Sequence, residues 1–146
     1  MITILGGDMK TRINKSRQRE AIREFLMVRK DHPTAEFIYD NVRKDFPNIS
    51  LGTVYRNLSL MVELGEAIRF TGNDGFDHFD ATTAPHYHFI CNNCSAILDL
   101  DIPVMESLNE TAGYDFGGDI YGHTAYFYGM CPECAGNIKK YYNKEN

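Results

Sequence analysis

Ten residues, Pro85 to Cys94 (PHYHFICNNC), hold the donors for two kinds of metal chemistry. Read as a strand, their alternation puts His86 and His88 on one face of a sheet. The strand ends in Cys91-x-x-Cys94, a tight turn that presents two thiolates to one ion. A second pair, Cys131-Pro-Glu-Cys134, follows later, and these 4 are all the cysteines of the chain. Four soft ligands in two such pairs suit tetrahedral Zn(II) with no open position, which makes a structural site. The pairs lie further apart than in a compact zinc ribbon, so a small subdomain clamped at its base is expected between them. Two disulfides or free core thiols are the alternatives. No export signal is visible, and the C-x-x-C pairing favours the metal. A thioredoxin-like redox motif would need only one pair.

The imidazoles His86 and His88 require further donors. Asp80, Asp99 and His32 are the candidates. Three neutral imidazoles and two carboxylates form a nitrogen/oxygen set that suits Fe(II), Mn(II) or Zn(II). Such a site draws on a helical half (His32), a linker (Asp80) and an acidic half (His86, His88, Asp99). A metalloenzyme with hydrolytic zinc or oxygen-activating iron is the competing class. All of its catalytic-looking groups would be ligands, which leaves no general base, so no enzyme is expected.

Charge divides the chain. The net charge of -5 argues against a polyanion partner. Met1 to Thr71, however, carries 12 Lys/Arg against 9 Asp/Glu, whereas Gly72 to Asn146 carries 3 against 11. Lys10 to Arg19 holds five basic residues, Lys15 and Arg17 among them, and no acid. A nucleic-acid-binding half joined to an acidic, ligand-holding half is the implied organisation. No apolar run reaches the length of a membrane span, and the start lacks a basic n-region and cleavage pattern. The cytoplasm is the expected compartment.

The elements that would position these residues follow from periodicity. Ser16 to Lys30 carries Ile22, Phe25 and Leu26 at helical spacing, ended by Asp31-His32-Pro33. Thr34 caps a second helix, TAEFIYDNVRKDF, with Ala35, Ile38, Tyr39 and Val42 inward. Ser50 caps a third, LGTVYRNLSLMVELG, closed by Gly65. Val54, Leu58 and Met61 face its core side, while Gly52, Arg56 and Ser59 face away, flanked by Thr53 and Tyr55. Two strands around Gly72-Asn73-Asp74-Gly75 complete a winged-helix pattern. Ser50, Thr53, Tyr55 and Arg56 are therefore the expected DNA-contacting residues of the third helix, Arg56 forking onto guanine. Lys15 and Arg17 would contact phosphates. A zinc-held protein-interaction module would leave Thr34 to Gly65 unexplained. Further on, a strand at 96–100, a helix at 103–111, strands at 114–116 and 125–128, and a C-terminal helix through Tyr142 are expected. His78 reads as a wing surface residue.

HPTAEFIYDNV, FPNISLGTVYRNL, HYHFICNNC and YGMCPEC, in that order, resemble the ferric-uptake-regulator (Fur) family of metal-responsive repressors. The resemblance runs from about Lys15 to Tyr142. It implies an α+β chain: a winged-helix DNA-binding domain followed by a small α/β dimerisation domain with the four-cysteine zinc site. The expected boundaries are a flexible extension at 1–14 (Met9 being an alternative start), the winged helix at 15–80, a linker at 81–85 and the dimerisation domain at 86–146. A homodimer on a palindromic double-stranded operator is implied, with no membrane partner and no small molecule beyond metal and peroxide.

The family pattern places structural Zn(II) on Cys91, Cys94, Cys131 and Cys134. It places a regulatory Fe(II) or Mn(II) on His32, Asp80, His86, His88 and Asp99. Aspartate at positions 80 and 99, and Tyr87 between the histidines, resemble the peroxide-sensing (PerR) branch. That resemblance implies Fe(II)-catalysed oxidation of a ligating imidazole, at His32 or His86, as the sensing event. Arg56 is more typical of the iron- or zinc-sensing branches, and sensing of iron or zinc levels is the alternative. Glu106 and His123 match an additional metal site of other members. Its remaining positions here, Pro85 and Tyr87, are not ordinary ligands, so that site is expected to be absent or weak.

Overall fold

The computed structural model describes residues 9–142. Two units emerge: the first runs to Thr83 without Gly72–Gly75, which group with the second unit, Ala84 onward.

The first unit contains α1 (Met9–Met27), α2 (Ala35–Val42), α3 (Leu51–Glu63), β1 (Ile68–Thr71) and β2 (Asp77–Asp80). Of the extension expected at 1–14, residues 1–8 lie outside the described residues, and from Met9 the chain is already helical. No glycine or proline falls between Gly7 and Pro33, and Met, Lys and Arg are good helix formers, so the helix starts earlier than Ser16. Thr34 Oγ1 accepts the Phe37 N–H at 3.3 Å, and Ser50 Oγ accepts the Thr53 N–H at 3.1 Å, each satisfying a helix-start donor. The second helix stops at Val42, short of the expected Phe46, as Lys44, Asp45 and Phe46 turn tightly ahead of Pro47. Past α3, Gly65 takes φ 72° and the Glu66 N–H reaches the Met61 carbonyl at 2.8 Å, the left-handed closure glycine allows.

Ile22, Leu26, Ile38, Val54, Leu58, Met61 and Phe79 are fully buried and pack the three helices against β2. The strands pair antiparallel, Ile68 with Asp80 and Phe70 with His78, around a turn ended by Gly75 at φ 82°. One isolated bridge, Thr34 to His78, ties β2 to the start of α2.

The second unit contains β3 (Tyr87–Cys91), β4 (Ile97–Leu100), α4 (Ser107–Gly113), β5 (Tyr126–Gly129) and α5 (Pro132–Tyr142). Its sheet runs β4-β3-β5, with β4 antiparallel and β5 parallel to the central β3. Two expectations are corrected. The helix at 103–111 begins only at Ser107, and Tyr114–Phe116 is not a strand. The N–H groups of Tyr114 and Phe116 point back to the Thr111 and Gly113 carbonyls, so this segment prolongs the helical turn instead of offering ladder bonds. The buried cluster here is small: Cys91, Cys131 and Cys134, with Phe89 and Ala96 against them.

Ile38→Ala should lower the unfolding free energy of the first unit by about 2–5 kcal/mol, since it removes a fully buried side chain from close packing. Urea unfolding followed by far-UV circular dichroism measures this, and an unshifted midpoint would contradict the placement of α2.

Candidate metal centres and DNA-reading helix

The end of β3, the turn after it and the start of α5 bring four sulfurs together. One Sγ from each of Cys91, Cys94, Cys131 and Cys134 lies within 4.8 Å of the others. Cys94 Sγ and Cys131 Sγ are 3.8 Å apart, far beyond a disulfide bond of about 2.05 Å, and all four thiols are free. Sulfurs sharing one zinc at about 2.3 Å in a tetrahedron sit ~3.8 Å from one another, so the donor set fits that ion. Backbone N–H groups prepare it. The N–H groups of Cys94 and Cys131 aim at Cys91 Sγ, that of Cys131 at 3.3 Å, and hold the Cys91 thiol down to about 6. Asn93 donates its amide to Cys134 Sγ at 3.3 Å, which favours the thiolate there. The neighbouring thiols and burial outweigh it and push Cys134 up to about 12. A divalent ion takes thiolates as its ligands, so its binding would release the protons these sulfurs still hold.

The imidazole and carboxylate residues form two sets, one in each unit. In the first unit, His32 Nε2 lies 3.3 Å from Asp80 Oδ2, both residues being buried. Asp80 Oδ1 accepts the Thr82 N–H at 2.7 Å, which orients the carboxylate. In the second unit, Asp99 Oδ1 lies 3.2 Å from His86 Nε2 and 3.5 Å from His88 Nε2. Cross-strand register produces this, because His88 on β3 faces Asp99 on β4. His86 precedes the strand and gives its Nδ1–H to the Ala84 carbonyl at 2.8 Å, which leaves Nε2 as the lone-pair donor. Tyr126 stacks on His88 from β5 with ring centroids 6.0 Å apart. Ligand atoms sharing an ion at about 2.0–2.2 Å sit ~3–3.5 Å apart, so each set has ligand spacing.

Glu106 and His123 are linked, but through hydrogen bonds. The Met105 N–H donates to Tyr87 Oη at 2.9 Å, and Tyr87 Oη–H faces His123 Nε2 at 2.6 Å. His123 Nδ1 donates to Asn109 Oδ1 at 2.7 Å, and Asn109 Nδ2 donates to Glu106 Oε2 at 3.1 Å. The lone pair His123 would offer a metal is thus engaged by Tyr87.

On α3, Ser50, Thr53 and Arg56 form a chain. Thr53 Oγ1 lies 2.9 Å from Ser50 Oγ and accepts Arg56 Nη2 at 2.9 Å. Tyr55 donates its hydroxyl to Glu36 Oε1 at 2.7 Å, and that carboxylate holds the phenol above its ordinary value. Lys15 and Arg17 are exposed. Three residues were missed by sequence reasoning. Glu36 fixes Tyr55. Asn57, mostly buried, donates to the Thr53 carbonyl and accepts Arg19 Nε at 3.1 Å. His78, read as a wing surface residue, is only 8% exposed and faces the His32 carbonyl at 2.6 Å through Nδ1. Its signal was available: strand alternation puts position 78 on the same side as Asp80.

Residues 10–128 match the Ferric uptake regulator family. The chain belongs to that family. Among its Fur-family relatives, the Bacillus subtilis "Peroxide operon regulator" is 37% identical over 126 residues, 86% of this chain and 87% of that protein. The Staphylococcus aureus "Peroxide-responsive repressor PerR" is 38% identical over 117 residues, 80% and 79% of the two chains. Among solved structures, the Campylobacter jejuni peroxide stress regulator matches with TM-score 0.71 and 25% identity, over 86% of this chain and 94% of that one. The Helicobacter pylori ferric uptake regulator, whose structure reveals three functional metal binding sites, shares the fold. It has TM-score 0.71 and 21% identity, over 87% and 89% of the chains. The resemblance to the Fur family, first carried by four short motifs, thus extends over most of the chain, and the branch suggested by Asp80, Asp99 and Tyr87 is that of the two relatives named for peroxide.

Cys91→Ser or Cys131→Ser should release bound zinc and melt the second unit while the helices of the first persist, because site formation is folding free energy. Zinc content by mass spectrometry, with thermal unfolding, checks this. A zinc-free variant with an intact second unit would contradict it.

Proposed function

We propose that this chain is a metal-dependent transcriptional repressor that senses peroxide through oxidation of a ligating histidine. The observation that carries this reading is the pair of ligand sets, His32 with Asp80 and His86 with His88 and Asp99, aspartate being the carboxylate in both. The named relatives support the choice of stimulus.

In this reading, one Fe(II) or Mn(II) takes its ligands from His32, Asp80, His86, His88 and Asp99, and Zn(II) is held by the four cysteines. Residues 15–80 read DNA, 81–85 link, and 86–146 hold metal and dimerise. Ser50, Thr53, Tyr55 and Arg56 meet base edges and adjoining phosphates, with Lys15 and Arg17 on the backbone. The second unit leaves Tyr114, Phe116, Tyr121 and Tyr128 more than half exposed, which supports cover by a second copy. A two-fold dimer meets a palindromic operator. No helix among the described residues is long and apolar enough to cross a membrane. An operator as target places the protein in the cytoplasm. Every titratable group of the set is a ligand, which leaves no general base for turnover, so the protein is a switch and not an enzyme.

Metal and operator binding are coupled reciprocally if the ion favours the arrangement that fits two half-sites. Bound Fe(II) would lend peroxide an electron and recover one from the ring, which leaves the imidazole as the net two-electron donor. One oxygen of hydrogen peroxide then replaces a carbon-bound hydrogen of His32 or His86, and the other leaves as water. The oxidised imidazole is a poorer donor, so metal and operator are released. Thiolates committed to zinc are not the first target.

The test compares Fe(II)- and Mn(II)-loaded protein after low peroxide, with operator retention in a gel and peptide mass spectrometry. The iron form should gain one oxygen at His32 or His86 and release the operator, and the manganese form should do neither. Loss of DNA binding through cysteine oxidation with both histidines unmodified would overturn the mechanism. Indifference of both forms would favour sensing of iron or zinc levels.

Arg56→Ala should cost about 1–3 kcal/mol at the operator and little on unrelated DNA. Lys15→Ala or Arg17→Ala should weaken all DNA and flatten the salt dependence. Fluorescence anisotropy over a salt series separates the two, and equal effects on every sequence would overturn the assignment of α3.

A further inference from the structure

We propose that His78 is a positioning residue that holds His32 in its ligand pose by donating its Nδ1–H to the His32 carbonyl. The inference rests on the regulatory-metal reading above and names a residue outside the ligand set.

His32 occupies an unfavourable backbone position. Its φ is 50°, in the left-handed region that side chains other than glycine rarely adopt. The following Pro33 adds a steric limit on the same residue. A histidine so placed persists only where its surroundings over-determine it.

The surroundings that hold it come from β2. The Phe79 N–H donates to the Pro33 carbonyl at 3.1 Å, and His78 bridges Thr34. His78 Nδ1 then meets the carbonyl of His32 itself at 2.6 Å, in a buried environment. A carbonyl can only accept, so His78 carries its proton on Nδ1. Phe70 anchors both rings: it stacks on His78 at 6.2 Å between centroids and meets His32 edge-on at 5.7 Å. Two residues further along β2, Asp80 stands 3.3 Å from His32 Nε2. One strand therefore grips His32 at its carbonyl and faces its donor nitrogen with a carboxylate. Loss of the carbonyl grip frees the backbone to leave the left-handed region, and the imidazole then no longer waits beside Asp80.

Two variants of the full, zinc-loaded chain separate the hydrogen bond from the packing. H78F keeps a ring on Phe70 and loses the donor. H78N keeps an N–H donor near the position of Nδ1 and loses the ring. Mn(II) affinity, read by calorimetry and by the electron paramagnetic resonance of bound Mn(II), should fall about 10–100-fold in H78F and stay close to the unaltered protein in H78N. Zinc content should not change in either. In the iron form treated with peroxide, H78F should shift oxidation away from His32 relative to His86. Nitrogen-15 spectra of the metal-free unaltered protein should give His78 as the Nδ1–H tautomer, a result that needs no variant to fold. Full Mn(II) affinity in H78F, H78N as weak as H78F, or an Nε2–H tautomer at His78 would each overturn the proposal. H32A separates the two levels of inference. If H32A binds Mn(II) as the unaltered protein does, the metal-site reading fails. If H32A loses Mn(II) while H78F retains it, only the role of His78 fails.

Discussion

Four sulfurs at the base of β3 are the constraint on which the second unit depends. Its buried cluster consists of Cys91, Cys131 and Cys134 with two partly covered apolar neighbours, while its aromatic residues are mostly exposed. Tyr87 and Ile97 add to the buried apolar side chains described there, and the sulfur cluster lies at the centre of the little core this unit has. Zinc bound there would contribute folding free energy that a larger core would otherwise supply, because it ties the end of β3, the turn after it and the start of α5 to one point. With the lower end of β3 set in this way, the ladder register carries the order upward. Cys91 faces Gly129, and three residues earlier His88 faces Asp99 on one side and Tyr126 on the other. A structural site and a ligand set are thus two ends of one strand.

The first unit solves the same positioning problem without sulfur. Its core is apolar and closely packed, so β2 has a firm seat at Phe79. His32 lies in a connection before a proline, which disfavours helical geometry and favours an extended one, yet its φ is 50°. A left-handed histidine there carries on the order of 1–3 kcal/mol of backbone strain. The strand that supplies Asp80 also supplies the contacts that offset this strain, through His78 and Phe79. Ligand presentation is therefore bound up with the stability of the hairpin and is not a property of the loop alone.

Charge separates the tasks. Basic residues collect in the first half of α1, and α3 adds Arg56, which is steadied by Thr53 and Ser50. Acidic residues dominate from Gly72 onward. The net charge of the first half suits a polyanion, and that of the second suits cations.

Much of this was legible in the chain alone. The helix starts at Thr34 and Ser50 were readable because a capping hydroxyl acts on N–H groups two or three residues away. The C-x-x-C pairs and the H-x-H spacing were readable because a turn and a strand alternation are equally local. Residue type named the ligand candidates, including His32 and Asp80, and family likeness then joined them in one set, since no local pattern implies their proximity. Tertiary structure decided what depends on packing over long separations. It buried His78 against His32, 46 residues away. It gave the lone pair of His123 to Tyr87 and turned Tyr55 toward Glu36. It also kept Tyr114–Phe116 out of the sheet, since ladder bonds need a neighbour that no alternation of side chains can supply.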